Sequence, residues 1–523
     1  MDQAAASAAP ATQAAPGNLR ANALGLPSVL FCIVTGAAPL AAMIFNVPVA
    51  VLGGGYAAPA AFLIATIALT IFSVGYIEMS RRVTSAGGFY AFITRGLGSI
   101  MGLGSGVFIA LCYLIFTCAV LGTMSYFAAT SIEAWTGVDL PAWVYMAIGL
   151  AIMASLAFFH IELTAKILGV ALVCEVLALL VLSAGIIGHG GGPDGFEASP
   201  LNPFDLFDNS AAIAVFGAGA TGIAIFGAFW SWVGFEMAPN YAEESRDPKR
   251  IAKLATYASV IGLGLFYIFC SYMFISGWGL QGAAEGVNAQ FSGDIASAWY
   301  PLTDRFVGSG LTTIFEALAI TSSFACAMAF FNTSARYLYA LGRERVLPAS
   351  LARTHPTHQS PYIAALVVGA FVFLYCLGFV IDDSSTEAAL LKLGTYSPLL
   401  GVLGILFVQA VCSVAVIRFF LTEARDGFHW FKTLVAPVLG TLFMVGACYL
   451  LIANRASLAG AGDAPFIKYL PYVAIAMFLI GIVAAFYFRA ADTERYESIG
   501  RFALDDELSH DPVMSGEFAP IRT

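Results

Sequence analysis

An all-α integral membrane protein is the fold class this sequence predicts, and three observations predict it. Hydrophobic residues make up 59% of the 523, charged residues 11%, and the mean hydropathy is +0.83. Soluble domains carry about 25% charged residues. Twelve apolar runs each reach the roughly 20 residues that one helical crossing of a bilayer needs. No stretch alternates apolar and polar residues as a membrane barrel strand does. That much apolar surface cannot be hidden inside one soluble globule, which leaves the lipid bilayer as its solvent.

The spans run at about 25–51, 56–79, 98–130, 141–159, 163–188, 212–240, 254–277, 307–341, 361–381, 389–417, 433–453 and 469–489. Span 1 is apolar but carries Gly36 and Pro39 inside "VTGAAPLAA", Val34–Ala42. Span 3 includes "GLGSGV", which superficially matches a phosphate-binding glycine loop. It lacks the preceding strand and the lysine of such a loop, so it reads as helix. Span 5, "IELTAKILGVALVCEVLALLVL", holds Glu175 at membrane depth. Span 6 ends in "FWSWVGFEMAPNYAEESRDPKR", where Gly234, Glu236 and Pro239 interrupt an apolar helix just before a charged loop. Span 8 contains "ITSSFACAMAF", with neighbouring hydroxyls at Ser322 and Ser323. The longest polar insert, 189–209, separates spans 5 and 6 and marks a midpoint.

Loop charge orients the chain. With a cytoplasmic N-terminus, only Arg305, Lys392, Arg455 and Lys468 of the 24 basic residues fall outside, as the positive-inside rule requires. Both termini are then cytoplasmic. The expected organisation is a tail at 1–24, a transmembrane domain over 25–489 in the cell membrane, and a second cytoplasmic tail over 490–523. The first tail is Ala-, Pro- and Gln-rich, lacks the apolar core of a cleavable signal and reads as disordered. The nine cysteines lie singly in spans with no CxxC pair, so they read as small core residues rather than disulfides or metal ligands. No nucleic-acid partner is expected, and nothing fixes the oligomeric state.

Spans 1 and 6 open two five-span halves, about 25–188 and 212–417, with two extra spans over 433–489. One half enters the membrane from inside and the other from outside, so the repeat is inverted. Broken helices at corresponding places in two halves point to a transporter's binding site. A bland Pro or Gly kink is the alternative reading of each break.

Three stretches carry a family resemblance. "WSWVGFEMAPNYAEESRDPKR" resembles the helix-6 signature of the amino acid–polyamine–organocation permeases. "NTSARYLYALGRERVLPASLARTHPTHQSP" is similar to their helix-8 exit, and "SRRVTSAGGFYAFITRGLG" to the loop after their helix 2. The resemblance covers roughly residues 20–490. It implies the five-plus-five inverted repeat of the LeuT-like fold with two added helices. It also implies alternating-access uptake or exchange of amino acids or amines, held between the unwound parts of helices 1 and 6.

Unwinding a helix in lipid leaves backbone groups unpaired, which is tolerated only where they line a cavity or meet a ligand. Thr35, Gly36, Ala37 and Ala38 are expected to present N–H groups at a half-helix N-terminus, which attracts a carboxylate. Carbonyls around Ser231–Gly234 suit an ammonium group. By resemblance, Trp230 is the gating aromatic over the substrate, and Trp232 and Ser231 flank the same site. Tyr113 and Thr117, one turn apart on span 3, are pocket-wall candidates. Glu236 has two open roles, as the acid that couples proton movement to opening or as a cap on the freed N–H groups. A carboxylate at membrane depth is costly unless paired, solvated or protonated. Glu175 stands where sodium-independent relatives commonly have a lysine. The lysine mechanism therefore does not carry over, and a proton, a sodium ion, a cationic substrate or another helix are its alternative partners. Related folds bind sodium with adjacent helix-8 hydroxyls, which makes Ser322 and Ser323 a cation-site alternative to ordinary interhelix hydrogen bonding. "TGAAP" also departs from the G-S-G core of the family's helix 1.

The expected function is a permease for amino acids, coupled to protons, with no catalytic residue, metal or cofactor. The alternatives are transport of an amine such as a polyamine or ethanolamine, sodium coupling, and exchange. A membrane enzyme is disfavoured because the six histidines are scattered with no HExxH. An ATP-driven pump needs a Walker A motif, which the chain lacks.

Overall fold

The computed structural model describes residues 24–83, 85, 87–157, 161–207, 220–291, 295–455 and 465–500. Outside these lie most of the expected N-terminal tail, the start of span 6, the last residues of span 4 and everything from residue 501. Among the described residues every regular element is helical. Two isolated bridges stand apart, Leu24 with Ser245 and Gly192 with Gly195.

Span 1 forms two helices, α1 (Leu26–Ala37) and α2 (Pro39–Gly54). Pro39 has no N–H to continue α1, and its ring restricts the residue before it. Ala38 accordingly takes φ 43° and ψ 73°, a left-handed conformation unusual for a residue with a β-carbon. The chain then restarts with proline at the first helical position, where its missing N–H removes no helical hydrogen bond. Span 2 is α3 (Ala58–Ser80). A helix the sequence reading did not separate, α4 (Phe89–Leu97), leads through Gly98 into α5 (Ser99–Thr136). α6 (Ala142–Leu156), α7 (Ile161–Gly188) and the short α8 (Pro203–Phe207) complete the first half of the chain.

Span 6 is likewise divided. It consists of α9 (Thr221–Trp230), a turn over Ser231–Gly234, and a 3₁₀ helix over Phe235–Glu244. Runs of 3₁₀ structure that long are uncommon and often mark a hinge. α10 (Pro248–Trp278) starts under the Asp247 side chain, which accepts the Arg250 N–H at 3.2 Å. α11 (Gly282–Phe291) and α12 (Tyr300–Phe306) fill the insert before α13 (Ser309–Arg343). α14 (Tyr362–Asp382) is followed by α15 (Thr386–Ala388), which passes through a π-helical stretch into α16 (Ser397–Thr422). α17 (Ala436–Ala453), α18 (Pro465–Ala491) and α19 (Thr493–Ser498) end the described chain.

Nine runs among the described residues are long and apolar enough to cross a membrane. One of them, Leu26–Ser80, covers α1 to α3 and is 55 residues long. In the most apolar stretch of α5, 89% of residues are buried, against 28% in α14 and α18. α5 is therefore central, packed on α13, α4, α16 and α18. α14, α17 and α18 turn Leu374, Leu442, Tyr449, Tyr472 and Val483 outward. Large apolar side chains exposed in such bands suit contact with lipid. The protein is a multi-pass helical membrane protein.

Residues 493–500 fold back onto α4 and the end of α13. Ser498 Oγ donates to the Glu344 carbonyl at 2.5 Å, and the Gly500 N–H reaches the Glu344 carboxylate at 2.8 Å and the Tyr90 hydroxyl at 3.0 Å. Tyr90 itself donates to Glu344. Ile499 is fully buried, which explains why an otherwise polar segment is held.

Candidate functional site

The two breaks touch. A β-carbon placed on Gly234 would lie 3.1 Å from the Gly36 carbonyl carbon and 3.3 Å from the Ala37 nitrogen. Such an approach needs glycine, and the φ of 120° at Gly234 needs it independently. The sequence reading placed the breaks at Gly36 and Pro39 and at Gly234 and Pro239; the chain opens at Ala38–Pro39 and at Ser231–Gly234, with Gly36 still helical and Pro239 inside the 3₁₀ helix.

The polarity of the first break differs from the expected one. Thr35, Gly36 and Ala37 form the last turn of α1 and so present carbonyls, not N–H groups. The Ala38 N–H closes that turn on the Val34 and Thr35 carbonyls at 3.0 and 3.1 Å. Cys326 Sγ donates to the Gly36 carbonyl at 2.9 Å, and the Tyr267 hydroxyl to the Ala37 carbonyl at 3.1 Å. The half-helix N-terminus lies further on, at Pro39–Ala41. The Leu40 N–H donates to Glu175 Oε2 at 3.3 Å, and the Ala41 N–H to Ser322 Oγ at 3.2 Å. Ser322 Oγ in turn donates to Glu175 Oε2 at 2.7 Å. Glu175 is 2% exposed. Of its four sequence-level alternatives, contact with another helix is the geometry found. One acid from α7 and one hydroxyl from α13 thus cap α2, whose own N-cap residue has no side chain able to do so.

Ser322 therefore both donates and accepts within this cap. Ser323 Oγ is buried without a partner, and so is Thr35 Oγ1.

At the second break Glu236 is 2% exposed. Its Oε2 accepts the Gly234 N–H at 3.1 Å, and its Oε1 accepts the Tyr113 hydroxyl at 2.6 Å. The Tyr76 hydroxyl donates to the Glu236 carbonyl at 2.7 Å. The carboxylate therefore serves as a cap on the freed backbone. Ser231 Oγ donates to the Gly227 carbonyl at 2.9 Å and accepts from Asn46 Nδ2 at 2.9 Å. Asn46 ties the second break to α2.

Trp230 is half-buried and stacks on Phe116, with centroids 4.8 Å apart, beside Phe330 at 6.3 Å. Tyr113 joins the same group, stacked on Tyr337 at 5.7 Å and tilted against Phe330 at 5.8 Å. Thr117 bonds back to the Tyr113 carbonyl at 2.8 Å, so its hydroxyl is used within α5. Trp232 is placed elsewhere. It is fully buried between α3 and α10, against Phe62 and Tyr267, with its indole N–H on the Val260 carbonyl at 3.3 Å. Alternate positions in a tight turn point opposite ways, which separates Trp232 from Trp230.

Below the 3₁₀ helix the charged loop closes on α13. Arg336 donates twice to Glu244 Oε2, at 3.0 and 2.7 Å, with both side chains buried. Arg343 and Glu243 form a two-pronged pair at 2.9 and 2.7 Å. The Leu24 N–H donates to the Glu244 carbonyl at 2.9 Å, which joins the entry of α1 to the exit of span 6. Arg81 and Arg82 meet Glu78 and Asp426.

Sequence reasoning missed Tyr76, Asn46, Tyr267, Cys326, Phe116, Phe330 and Tyr337. Their common signal is a polar or aromatic residue in mid-span, a signal shared with many residues that only pack.

A multi-pass helical membrane protein with two broken helices meeting at their breaks, each capped by a buried acid, has the build of a membrane carrier. Residues 24–487 match the family model described as amino acid permease, and the chain belongs to that family. It is similar to the low-affinity putrescine importer PlaP of Escherichia coli (strain K12), at 24% identity over 77% of this chain and 82% of the relative. It is also similar to the branched-chain amino acid permease BcaP of Bacillus subtilis (strain 168), at 22% over 82% and 84%. A third relative is the cationic amino acid transporter 7, chloroplastic, of Arabidopsis thaliana, at 22% over 65% and 58%. The chain is therefore a transport protein rather than an enzyme.

Proposed function

We propose that the chain is a secondary transporter that moves a small amino acid or amine across the cell membrane by alternating access, driven by protons. The reading assigns it twelve spans, two inverted five-span repeats over about 25–188 and 212–417, two extra spans over 433–489, and both termini in the cytoplasm. The observation that carries it is Glu236. A buried carboxylate that holds both the Gly234 N–H and the Tyr113 hydroxyl sits where span 6 opens against span 1. Protonation of that carboxylate weakens both bonds, because a neutral acid is a poorer acceptor than a charged one. Loss of the Tyr113 bond frees the break to move relative to α5. Proton movement and opening are then one event. The stacked Phe116, Trp230 and Phe330 form the wall over which the substrate passes.

The test is uptake into proteoliposomes with and without an inward proton gradient, in sodium-free buffer. The proposal expects uptake stimulated by the gradient and loss of that stimulation in Glu236→Gln. Uptake that needs sodium and ignores the proton gradient would overturn the coupling and return Ser323, Thr35 and Glu175 to consideration as a cation site.

A further inference from the structure

We infer that Glu175 is a resident anion that occupies the position a substrate carboxylate would take, so that the transported ligand is an organic ammonium ion without a carboxylate. This rests on the transport reading above. The helix N-terminus at Pro39–Ala41 is the natural anion site of the first break, since its N–H groups are unpaired within α2 and the helix dipole favours negative charge there. The chain fills that site itself. Glu175 Oε2 takes the Leu40 N–H and the Ser322 hydroxyl, and Ser322 takes the Ala41 N–H. Pro39 has no N–H to offer.

Most of the other donors at the two breaks are also spent, the hydroxyls of Thr35 and Ser323 being the exceptions. The Gly234 N–H and the Tyr113 hydroxyl are held by Glu236. Tyr267 and Cys326 donate to the carbonyls that end α1. The Arg336 guanidinium, on the same helix as Ser322, is held by Glu244. A carboxylate arriving here meets a buried acid at each break and finds only two neutral hydroxyls, Thr35 and Ser323, as unspent donors among the groups named. An ammonium ion meets the opposite environment. It finds two carboxylates, the aromatic faces of Phe116, Trp230 and Phe330 for cation–π attraction, and the unpartnered oxygens of Thr35 and Ser323.

The experiment compares molecules that differ only by the carboxylate. Proteoliposomes holding the wild-type protein are offered radiolabelled 1,5-diaminopentane against lysine, 1,4-diaminobutane against ornithine, and 3-methylbutylamine against leucine. Each unlabelled partner is then titrated as a competitor. The expected result is that at least one amine is taken up and competes about tenfold or more better than its amino acid, a difference of ~1.4 kcal/mol. An amino acid that equals or outcompetes its decarboxylated partner overturns the inference while leaving the transporter intact. No uptake of any of the six above empty liposomes overturns the transport reading, and the inference with it. Glu175→Ala adds a second readout. Removing the resident anion exposes the Leu40 N–H, so the preference for amine over amino acid falls several-fold or more. An unchanged preference in a folded variant refutes the role given to Glu175.

Discussion

Replacing Gly234 by alanine acts on the contact between the two breaks. Two costs follow from the geometry. The backbone at 234 has φ 120°, which an L-residue adopts only under strain of about 1–3 kcal/mol. The new β-carbon also lies 2.9 Å from Met237 Cε and 3.1 Å from the Gly36 carbonyl carbon. Met237 can swing its tip, but the carbonyl moves only if α1 moves. Overpacking of that kind costs about 1–3 kcal/mol, so the sum is ~2–6 kcal/mol. Gly36→Ala is the internal control. Gly36 is helical, and its added β-carbon clashes only with the Met237 tip, at 2.6 Å, while Ala329 and Gly234 stand off at 3.6 and 3.7 Å. Alanine in place of glycine inside a helix recovers up to ~1 kcal/mol, which nearly offsets that clash. The assay is the thermal midpoint in lipid nanodiscs together with initial uptake rate. Gly234→Ala is expected to lower the midpoint by several degrees and to slow uptake, with Gly36→Ala close to wild type. Equal behaviour of the two variants, or a Gly234→Ala protein as stable as wild type, would refute the claim that this contact requires glycine at 234.

Tyr113→Phe removes one hydroxyl and keeps the ring stacked among Tyr337, Phe330 and Phe116; a hydrogen bond to a charged group is worth ~1.5–3 kcal/mol. Proton-stimulated uptake is therefore expected to fall at least several-fold in a protein that still elutes as a folded species, and full retention of stimulated uptake counts against the role of this bond. Arg336→Met leaves Glu244 buried without its partner, at a cost of ~3–5 kcal/mol. The double variant Arg336→Met/Glu244→Gln should recover much of the lost thermal stability, and no recovery would show that the pair is not the source of the loss. A chain ended at Asp492 loses the Ser498 and Gly500 bonds to Glu344 and Tyr90; faster hydrogen–deuterium exchange in the segment around 340–347 is expected, and unchanged exchange would mean that this segment does not brace α13.

The apolar runs, the two breaks and the acid beside the second were legible in the sequence because each is a local property. Helix length, the missing proline N–H and the tolerance of glycine for positive φ act within a few residues. The partners of the breaks were not legible. Glu175 lies 135 residues from the Leu40 it caps, and Ser322 lies 281 from Ala41. Nothing in a run of apolar sequence says which face of α7 or α13 meets α2. The error over Thr35–Ala38 has a sharper cause. A break between two helices has a carbonyl end and an N–H end one residue apart, and Ala38 rather than Gly36 is the hinge. Three residues of register exchange a donor for an acceptor. Trp230 and Trp232 failed to share a site for a similar reason, since a turn sends alternate side chains to opposite faces.

The two caps differ in kind, and that difference bears on how the breaks can move. Glu236 caps Gly234 from within the same segment, so that cap travels with span 6; the Tyr113 and Tyr76 hydroxyls tie the capped turn to α5 and α3, while Asn46 ties Ser231 to α2 and Arg336 ties Glu244 to α13. α2 is capped entirely by other helices, through Glu175 of α7 and Ser322 of α13. Moving α2 away from α7 and α13 strips its N-terminus of both acceptors, whereas moving span 6 leaves its carboxylate cap in place. Unpaired backbone groups in a membrane interior cost several kcal/mol each. The motion that keeps both caps is therefore one in which α2, α7 and α13 keep their relation and the Arg336–Glu244 pair stays closed, while the turn at Ser231–Glu236 swings against α5 and α3 and gives up the Asn46–Ser231 bond. On that logic the second break is the moving part of the carrier and the first is its frame. This puts Glu236, the acid proposed to respond to protons, on the moving part, and Glu175, proposed as the resident anion, on the frame.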